Sequence, residues 1–333
     1  MKRLLFVFVG VIVLTAVLLT DCSKKSGGGE NVVLKAGYYG VLCEAPLHIA
    51  YEKGFFKDEG VDVELVKFAP GTVFDGVTSG QIDAAATLIA NIAPPLANGL
   101  PAKITTGLHT GCDMVLVKPN SGITKAQDLK GKKIGVPSMT SSPVVYAKRV
   151  LADNGINIRL EGSEVEFVVY STSDLPLILS NGGVDAIALN EPMAAIAANE
   201  YGFVTLFDSA VDEPYATQYC CVAFVSDRIF KNDKKLAVKY TRAMQRASEY
   251  INSNQEEAAR IQIDKKYVPG DPVLNAKILK KFNYIPSVSG AYDAFGVVVP
   301  QLQAVGMLGE EVDVKALHKN SFASLDGLDE KYK

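Results

Sequence analysis

The stretch Pro137-Ser138-Met139-Thr140-Ser141-Ser142-Pro143 is the most chemically pointed part of the sequence. Four hydroxyls and several backbone N–H groups gather where a helix begins, and the partial positive charge of a helix N-terminus favours an anion. A sulfonate, nitrate, carboxylate or phosphate group suits that chemistry. The plainer alternative is N-capping, in which one hydroxyl caps and the others face water. Ser138, Met139, Thr140, Ser141 and Ser142 are taken as candidate ligand contacts.

Other candidates follow from the rule that open parallel sheets bind ligands beyond the carboxyl ends of their strands. After the first expected strand come Tyr39, Cys43 and Glu44, with Glu44 placed either to cap the next helix or to touch a ligand. Thr72 follows Pro70-Gly71 after the second strand, and Thr87 and Asn91 end the third. His109 and Thr110, beside the permissive Gly111, offer a donor and a hydroxyl at a further strand end. Asn190, Glu191 and Tyr219 hold comparable places in the second half of the chain. No Ser-His-Asp spacing, phosphate-binding Gly-x-x-x-x-Gly-Lys or paired-His metal motif is present, so no catalytic residue, cofactor or metal site is expected. Cys43 and Cys112 both follow strands of the first half and either approach each other or line the cleft; an oxidising setting would pair the cysteines and a reducing one leave them as thiols. Adjacent Cys220 and Cys221 lack the partner spacing of a zinc site and read as a buried, inert pair.

The elements that must position these residues are short apolar runs rich in Val, Ile and Ala, alternating with helical stretches. Strands are expected at 32–37, 61–67, 84–87, 104–108, 114–118, 133–136, 165–169, 186–189 and 222–225, and helices at 46–53, 143–154, 175–180 and 234–252. That alternation predicts an α/β fold with mostly parallel strands. In the last helix Leu236, Tyr240, Ala243, Met244, Ala247 and Ile251 repeat at helical spacing and should face the core. The 333 residues, 48% hydrophobic and 21% charged, suffice for one or two cores and exclude a disordered or fibrous chain. A net charge of -3 gives no basic footprint for nucleic acid, and a monomer is expected.

The mean hydropathy of +0.14 is raised by the start of the chain. Lys2 and Arg3 precede an uncharged run from Leu4 to Thr20, the layout of a secretory signal, expected over residues 1–21, with an uncleaved N-terminal membrane anchor as the alternative. Leu19-Thr20-Asp21-Cys22 resembles the lipobox of bacterial lipoproteins, although Gly, Ala or Ser usually precedes the Cys. That likeness implies lipidation at Cys22 and an exported protein anchored to the membrane through it. Residues 22–31, rich in Ser, Lys and Gly, then read as a flexible tether.

An internal echo organises the rest. Gly80-Gln81-Ile82-Asp83-Ala84 follows Gly60-Val61-Asp62-Val63, as Gly183-Val184-Asp185-Ala186 follows Gly155-Ile156-Asn157-Ile158, which predicts two similar α/β lobes. With "APLHIAYEKGFFKDEGVDVELVKF", "SGQIDAAATL", "DLKGKKIGVPSMTSS" and "NGGVDAIALNEP" in this order, the chain resembles the periplasmic solute-binding proteins of the nitrate, sulfonate, taurine and thiamine-pyrimidine group. The resemblance implies a two-lobed periplasmic-binding-protein fold of type II kind, with lobe I at 32–116 and 224–333, lobe II at 117–223 and chain crossings near 114–118 and 221–225. It implies capture of a small anionic or polar solute by hinge closure and delivery to the permease and ATPase of an ABC importer, without catalysis. Eukaryotic thiamine-pyrimidine synthases, which use a His and a Cys-rich segment, resemble the same group. An enzyme of that type, or a binder of the pyrimidine precursor, is the alternative. Where many relatives carry Trp-Glu-Pro, this chain has Asn190-Glu191-Pro192 and no Trp anywhere.

Overall fold

The Gly-x-Asp-Ala echo has a physical cause in the two sheets. Lys35 N–H donates to Asp83 Oδ2 at 3.0 Å, and Asp83 N–H returns a bond to the Lys35 carbonyl at 2.7 Å. In the second half Lys133 N–H donates to Asp185 Oδ2 at 2.9 Å and Asp185 N–H to the Lys133 carbonyl at 2.9 Å. Each Asp thus joins the start of its own strand to the strand beside it. A carboxylate is used there because it accepts an amide that the ladder has not yet engaged.

The structure is a computed structural model that describes residues 33–69, 72–159 and 161–328. The expected leader, tether, Cys22 lipidation and the Pro70-Gly71 turn lie outside these residues. The chain runs β1 (Leu34–Tyr38), α1 (Ala45–Glu52), α2 (Phe55–Asp58), β2 (Val63–Lys67), α3 (Val73–Thr78), β3 (Ala84–Leu88), α4 (Ile89–Ala97) and β4 (Ala102–Thr110). It continues through β5 (Asp113–Val117), β6 (Lys133–Val136), α5 (Ser142–Asp153), β7 (Glu166–Val169), α6 (Leu175–Ser180), β8 (Ala186–Asn190), α7 (Met193–Tyr201) and β9 (Val204–Asp208). After β10 (Tyr219–Ser226) the tail is helical, with α8 (Asp227–Asn232), α9 (Lys234–Ser253, the helix expected at 234–252), α10 (Gln255–Asp264), α11 (Pro272–Lys281), α12 (Val288–Ala304) and α13 (Val314–Ser321). The six apolar positions read from the sequence of α9 are all buried.

Two five-stranded sheets result, ordered β2-β1-β3-β10-β4 and β7-β6-β8-β5-β9. Each has parallel pairs on one side and one reversed strand, β10 in the first sheet and β5 in the second, antiparallel to both its neighbours. Those reversed strands are the ones that arrive from the other sheet. β4 leads through Gly111 and Cys112 into β5, and β9 leads through residues 209–218 into β10. The crossings therefore fall a few residues before the expected positions: Asp113–Val117 belongs wholly to the second sheet and Tyr219–Ser226 wholly to the first. β9 has no counterpart in the sequence reading, because a half-exposed edge strand of sequence VTLFD lacks the unbroken apolar run of a central one.

The two crossings touch at Gly111, whose φ is 70° and whose hypothetical Cβ would sit 2.6 Å from Ala210 Cβ. Only glycine meets both demands. None of the helices among the described residues is long and apolar enough to cross a membrane.

Asp83 is almost fully buried and also pairs with Arg228, whereas Asp185 is partly open to solvent. Asp83→Ala should lower the unfolding free energy by about 2 kcal/mol and Asp185→Ala by about 1 kcal/mol, read from urea unfolding midpoints. Equal effects would separate the echo from this bonding.

Candidate functional site

The strand ends of the two sheets enclose a small cavity of about 40 Å³, partly open to solvent. One wall is the face of α5 that carries Ser142, Val145, Tyr146 and Arg149, positions i, i+3, i+4 and i+7 of one helical stripe. Opposite are Leu88, Ile89 and Ala90 at the β3–α4 junction and Val298 of α12, while Gly111, Asp113, Tyr215 and residues 218–220 form the floor.

Polar chemistry concentrates at the start and middle of α5. Ser142 Oγ donates to Asp113 Oδ1 at 2.9 Å. Burial, and then the charge of nearby Cys220, push the Asp113 carboxyl well above the usual carboxylate range. The first backbone bond of α5 is Val145 N–H to the Ser141 carbonyl, 3.2 Å, so the earlier amides are outside the helical ladder. Arg149 donates from Nε to Gln301 Oε1 at 2.6 Å and from Nη2 to Gln218 Oε1 at 2.5 Å. Its guanidinium lies 4.9 Å from the Tyr215 ring centroid, and burial lowers its pKa from the ordinary value. Tyr146 and Tyr215 meet edge to face at 5.1 Å, and their hydroxyls donate to Asp212 and Asp153. Burial first, then those carboxylates, raises both phenols, which stay neutral.

Of the residues expected from sequence, Ser142 and Tyr219 line this cavity. Tyr219 donates its hydroxyl to the Ile285 carbonyl. Thr87 and Thr110 are buried at the ends of β3 and β4 with hydroxyls that have no protein partner, and Asn91 Oδ1 is in the same state. The loop before α5 is largely closed on itself. Ser141 Oγ donates to the Ser138 carbonyl at 2.8 Å, Ser138 and Thr140 hydroxyls lie 3.4 Å apart, and Met139 is exposed. These four do not line the cavity. Thr72 Oγ1 donates to the Ala69 carbonyl at 2.9 Å.

Glu44 serves its own loop: its carboxylate accepts from the amides of Tyr39, Gly40 and Val41 at 2.9, 2.8 and 3.1 Å. Burial, then the neighbouring Cys43, lifts it to about 8. Glu44 and Tyr39 are thereby drawn into the β1–α1 turn and away from the cavity. Asn190 pairs with Asp113 in the ladder. Glu191 accepts from the Ala195 amide at 2.9 Å through Oε2, while Oε1 has no partner.

Cys43 and His109 do not line the cavity either. Both turn into the core below it, where all four cysteines of the described residues converge. Cys112 Sγ lies 2.9 Å from Cys220 Sγ and 3.5 Å from Cys221 Sγ. His109 is fully buried and stacked on Phe282 at 5.2 Å, with Nε2 3.0 Å from the Cys43 carbonyl and Nδ1 3.1 Å from the Thr110 carbonyl. Of the adjacent pair, Cys220 is half-buried and reaches the cavity floor, so it is not the wholly internal residue expected.

The sequence profile described as NMT1/THI5 like matches residues 44–258. The chain belongs to the NMT1/THI5-like family. Among curated relatives of this NMT1/THI5-like chain, a putative aliphatic sulfonates-binding protein of Bacillus subtilis is 27% identical over 267 residues, covering 77% of this chain and 78% of the relative. A 4-amino-5-hydroxymethyl-2-methylpyrimidine phosphate synthase of Aspergillus parasiticus is 24% identical over 261 residues, covering 76% and 75%. Of solved structures, the periplasmic aliphatic sulphonate binding protein of Escherichia coli superimposes with a TM-score of 0.73 at 16% identity, covering 90% of this chain and 95% of that one. The periplasmic nitrate-binding protein of Synechocystis gives 0.72 at 18% identity, covering 87% and 86%. The fold is the two-lobed periplasmic-binding-protein fold.

Asp113, Tyr146, Arg149 and Gln301 were not anticipated as site residues. The signal for two of them was present: in SPVVYAKR, Tyr146 and Arg149 share the helical stripe of Ser142.

Burial, partly offset by the Ala195 amide, lifts Glu191 to about 7 from an ordinary 4.5. The folded chain then holds this proton more tightly than the unfolded one. The stability it contributes is complete below about pH 4.5 and is lost as pH rises through about 7. Relative to Glu191→Gln, the natural chain should lose on the order of 2 kcal/mol between about pH 5 and about pH 8, measured by urea unfolding at each pH. A difference independent of pH would show that Glu191 folds with an ordinary carboxyl.

Proposed function

We propose that the chain is the solute-binding component of an ABC-type importer, which captures a small anionic or polar solute between its lobes and presents the closed form to the permease and ATPase. The observation that carries this reading is the cavity between the sheets, walled by the start of α5 and bridged by Arg149, whose guanidinium bonds to Gln218 of the crossing and Gln301 of α12. Family membership and relatives named as sulfonate- and nitrate-binding proteins support it. Closure replaces ligand hydration by fixed hydrogen bonds, and its free energy is the difference in ligand affinity between open and closed lobes. Residues 1–21 are read as a signal peptide and 22–31 as the tether of a lipid anchor at Cys22, which places a monomeric, non-catalytic protein outside the cytoplasm.

The ligand is read as carrying an oxyanion, such as a sulfonate or nitrate, or a taurine-like pairing of sulfonate and amine. The α5 amides and Arg149 suit the anionic end, and Asp113 suits a donor end. Asp113 beside Tyr146 and Tyr215 also favours a second reading, a thiamine-type aminopyrimidine held between an acceptor and aromatic rings, as relatives named pyrimidine phosphate synthases suggest.

The test is calorimetric titration of protein unfolded and refolded to remove carried ligand. Taurine, an alkanesulfonate, nitrate and an aminopyrimidine are the ligands. Ser142→Ala should weaken binding of the active compound about tenfold, roughly 1.4 kcal/mol, while Ser141→Ala leaves it unchanged. Silence toward all four classes, or product formation from the pyrimidine, would sink the importer reading. An unaffected Ser142→Ala would move the site out of this cavity.

A further inference from the structure

The described residues contain four cysteines, three of them buried beneath the cavity and Cys220 in its lining. Nothing in the proposed transport role needs them. We propose that Cys43, His109, Cys112 and Cys221 form a buried binding site for a soft divalent metal ion, of which Zn²⁺ is the type.

The ligand atoms of these four side chains all lie within 4.8 Å of one another, and all four residues are buried. A tetrahedral zinc site with metal–sulfur bonds of about 2.3 Å has sulfur–sulfur edges of about 3.8 Å. Cys112 and Cys221 already stand at 3.5 Å, so the metal asks for movements of an ångström or less. Three thiols and an imidazole are a donor set that selects borderline-soft ions over Mg²⁺ or Ca²⁺, which take oxygen ligands. On binding, the ion takes the place of the thiol protons, which leave to solvent. His109 Nε2 stands 3.0 Å from the Cys43 carbonyl, an outer bond of the kind that orients a ligating imidazole, and Nδ1 would give up its 3.1 Å contact with the Thr110 carbonyl to reach the metal. The ring stacked on Phe282 fixes its plane.

The ligands come from separate segments. Cys43 follows β1, His109 ends β4, Cys112 lies in the first crossing and Cys221 begins the return along β10. A bound ion would fasten both crossings to the loop after β1. Cys220 is outside the set of four mutually close ligands, although its sulfur lies 2.9 Å from Cys112 Sγ and donates to the Gly111 carbonyl at 3.2 Å. The competing fate of the cluster is a Cys112–Cys220 disulfide, with two thiol hydrogens and two electrons passed to an external disulfide that is reduced to two thiols.

The experiment titrates Co²⁺, then Zn²⁺, into the full exported chain, reduced and metal-free, under anaerobic conditions. One equivalent of Co²⁺ should bring up thiolate-to-cobalt charge transfer and the strong visible bands of a tetrahedral site, and one equivalent of Zn²⁺ should abolish both. Cys43→Ser and Cys221→Ser should each weaken metal affinity at least tenfold. Cys220→Ser should leave metal uptake unchanged. Because a core serine can impair folding, each variant is checked by its circular dichroism, and His109→Gln provides a second route, shifting the visible bands while keeping the thiolate transition. Absence of stoichiometric uptake by the folded natural chain overturns the site. So does uptake that survives Cys43→Ser and Cys221→Ser but fails in Cys220→Ser, since that pattern belongs to the Cys112–Cys220 pair.

Discussion

The antiparallel ladder of β10 with β3 and β4 is the constraint on which the molecule turns. β10 comes from the second sheet yet forms five partner positions with β3 and seven with β4, so neither sheet can be completed without the other half of the chain. β5 does the same in the opposite sense. The exchange forces two crossings side by side, and their contact at Gly111 and Ala210 leaves no room for a side chain. Everything that acts as a site hangs from this junction. The cavity opens directly above it, Asp113 is the first residue of β5 and Tyr219 and Cys220 are the first two of β10.

The junction also sets the electrostatics. Asp113 reaches the start of α5 because β5 must begin there, and the helix start that the sequence marks as an anion site already has a carboxyl of the protein beside it. Burial pushes that carboxyl well above the usual carboxylate range, and it accepts the hydrogen bond of the Ser142 hydroxyl. In the proposed binding mode the anionic end of the ligand meets amides and a guanidinium, and its donors an acceptor, within one turn or two of α5.

How far this was legible in the sequence differs between fold and site. Hydrophobic alternation located nine of the ten described strands and the core face of α9, because buried parallel strands and amphipathic helices leave strong local patterns. The Asp83 and Asp185 echo reported a repeated hydrogen bond before either sheet was known. The site was read less well, and for a definite reason. The rule that ligands lie beyond strand ends picks loops, but cannot tell which side of a strand end faces the cavity. His109 and Cys43 fell on the core side, and Glu44 was claimed by its own backbone. Arg149 was passed over because it lies two turns inside a helix, where a charged residue ordinarily means solvent. The thiol cluster escaped a search for neighbouring Cys-x-x-Cys spacing because its members meet only through the crossings.

Arg149 carries one more consequence. Two of its donors are already engaged by the amide oxygens of Gln218 and Gln301, and its face is covered by Tyr215. Under the proposed reading, a solute that takes either of those two donors makes an exchange rather than an addition, whereas the remaining three N–H groups of the guanidinium are open to addition. Neutral carbonyl compounds offer no more than the glutamines do and gain little by the trade. A charged oxyanion offers stronger acceptors in the same planar geometry and comes out ahead. Under the proposed reading, the internal glutamines thus favour a charged oxyanion over a neutral carbonyl at these two donors.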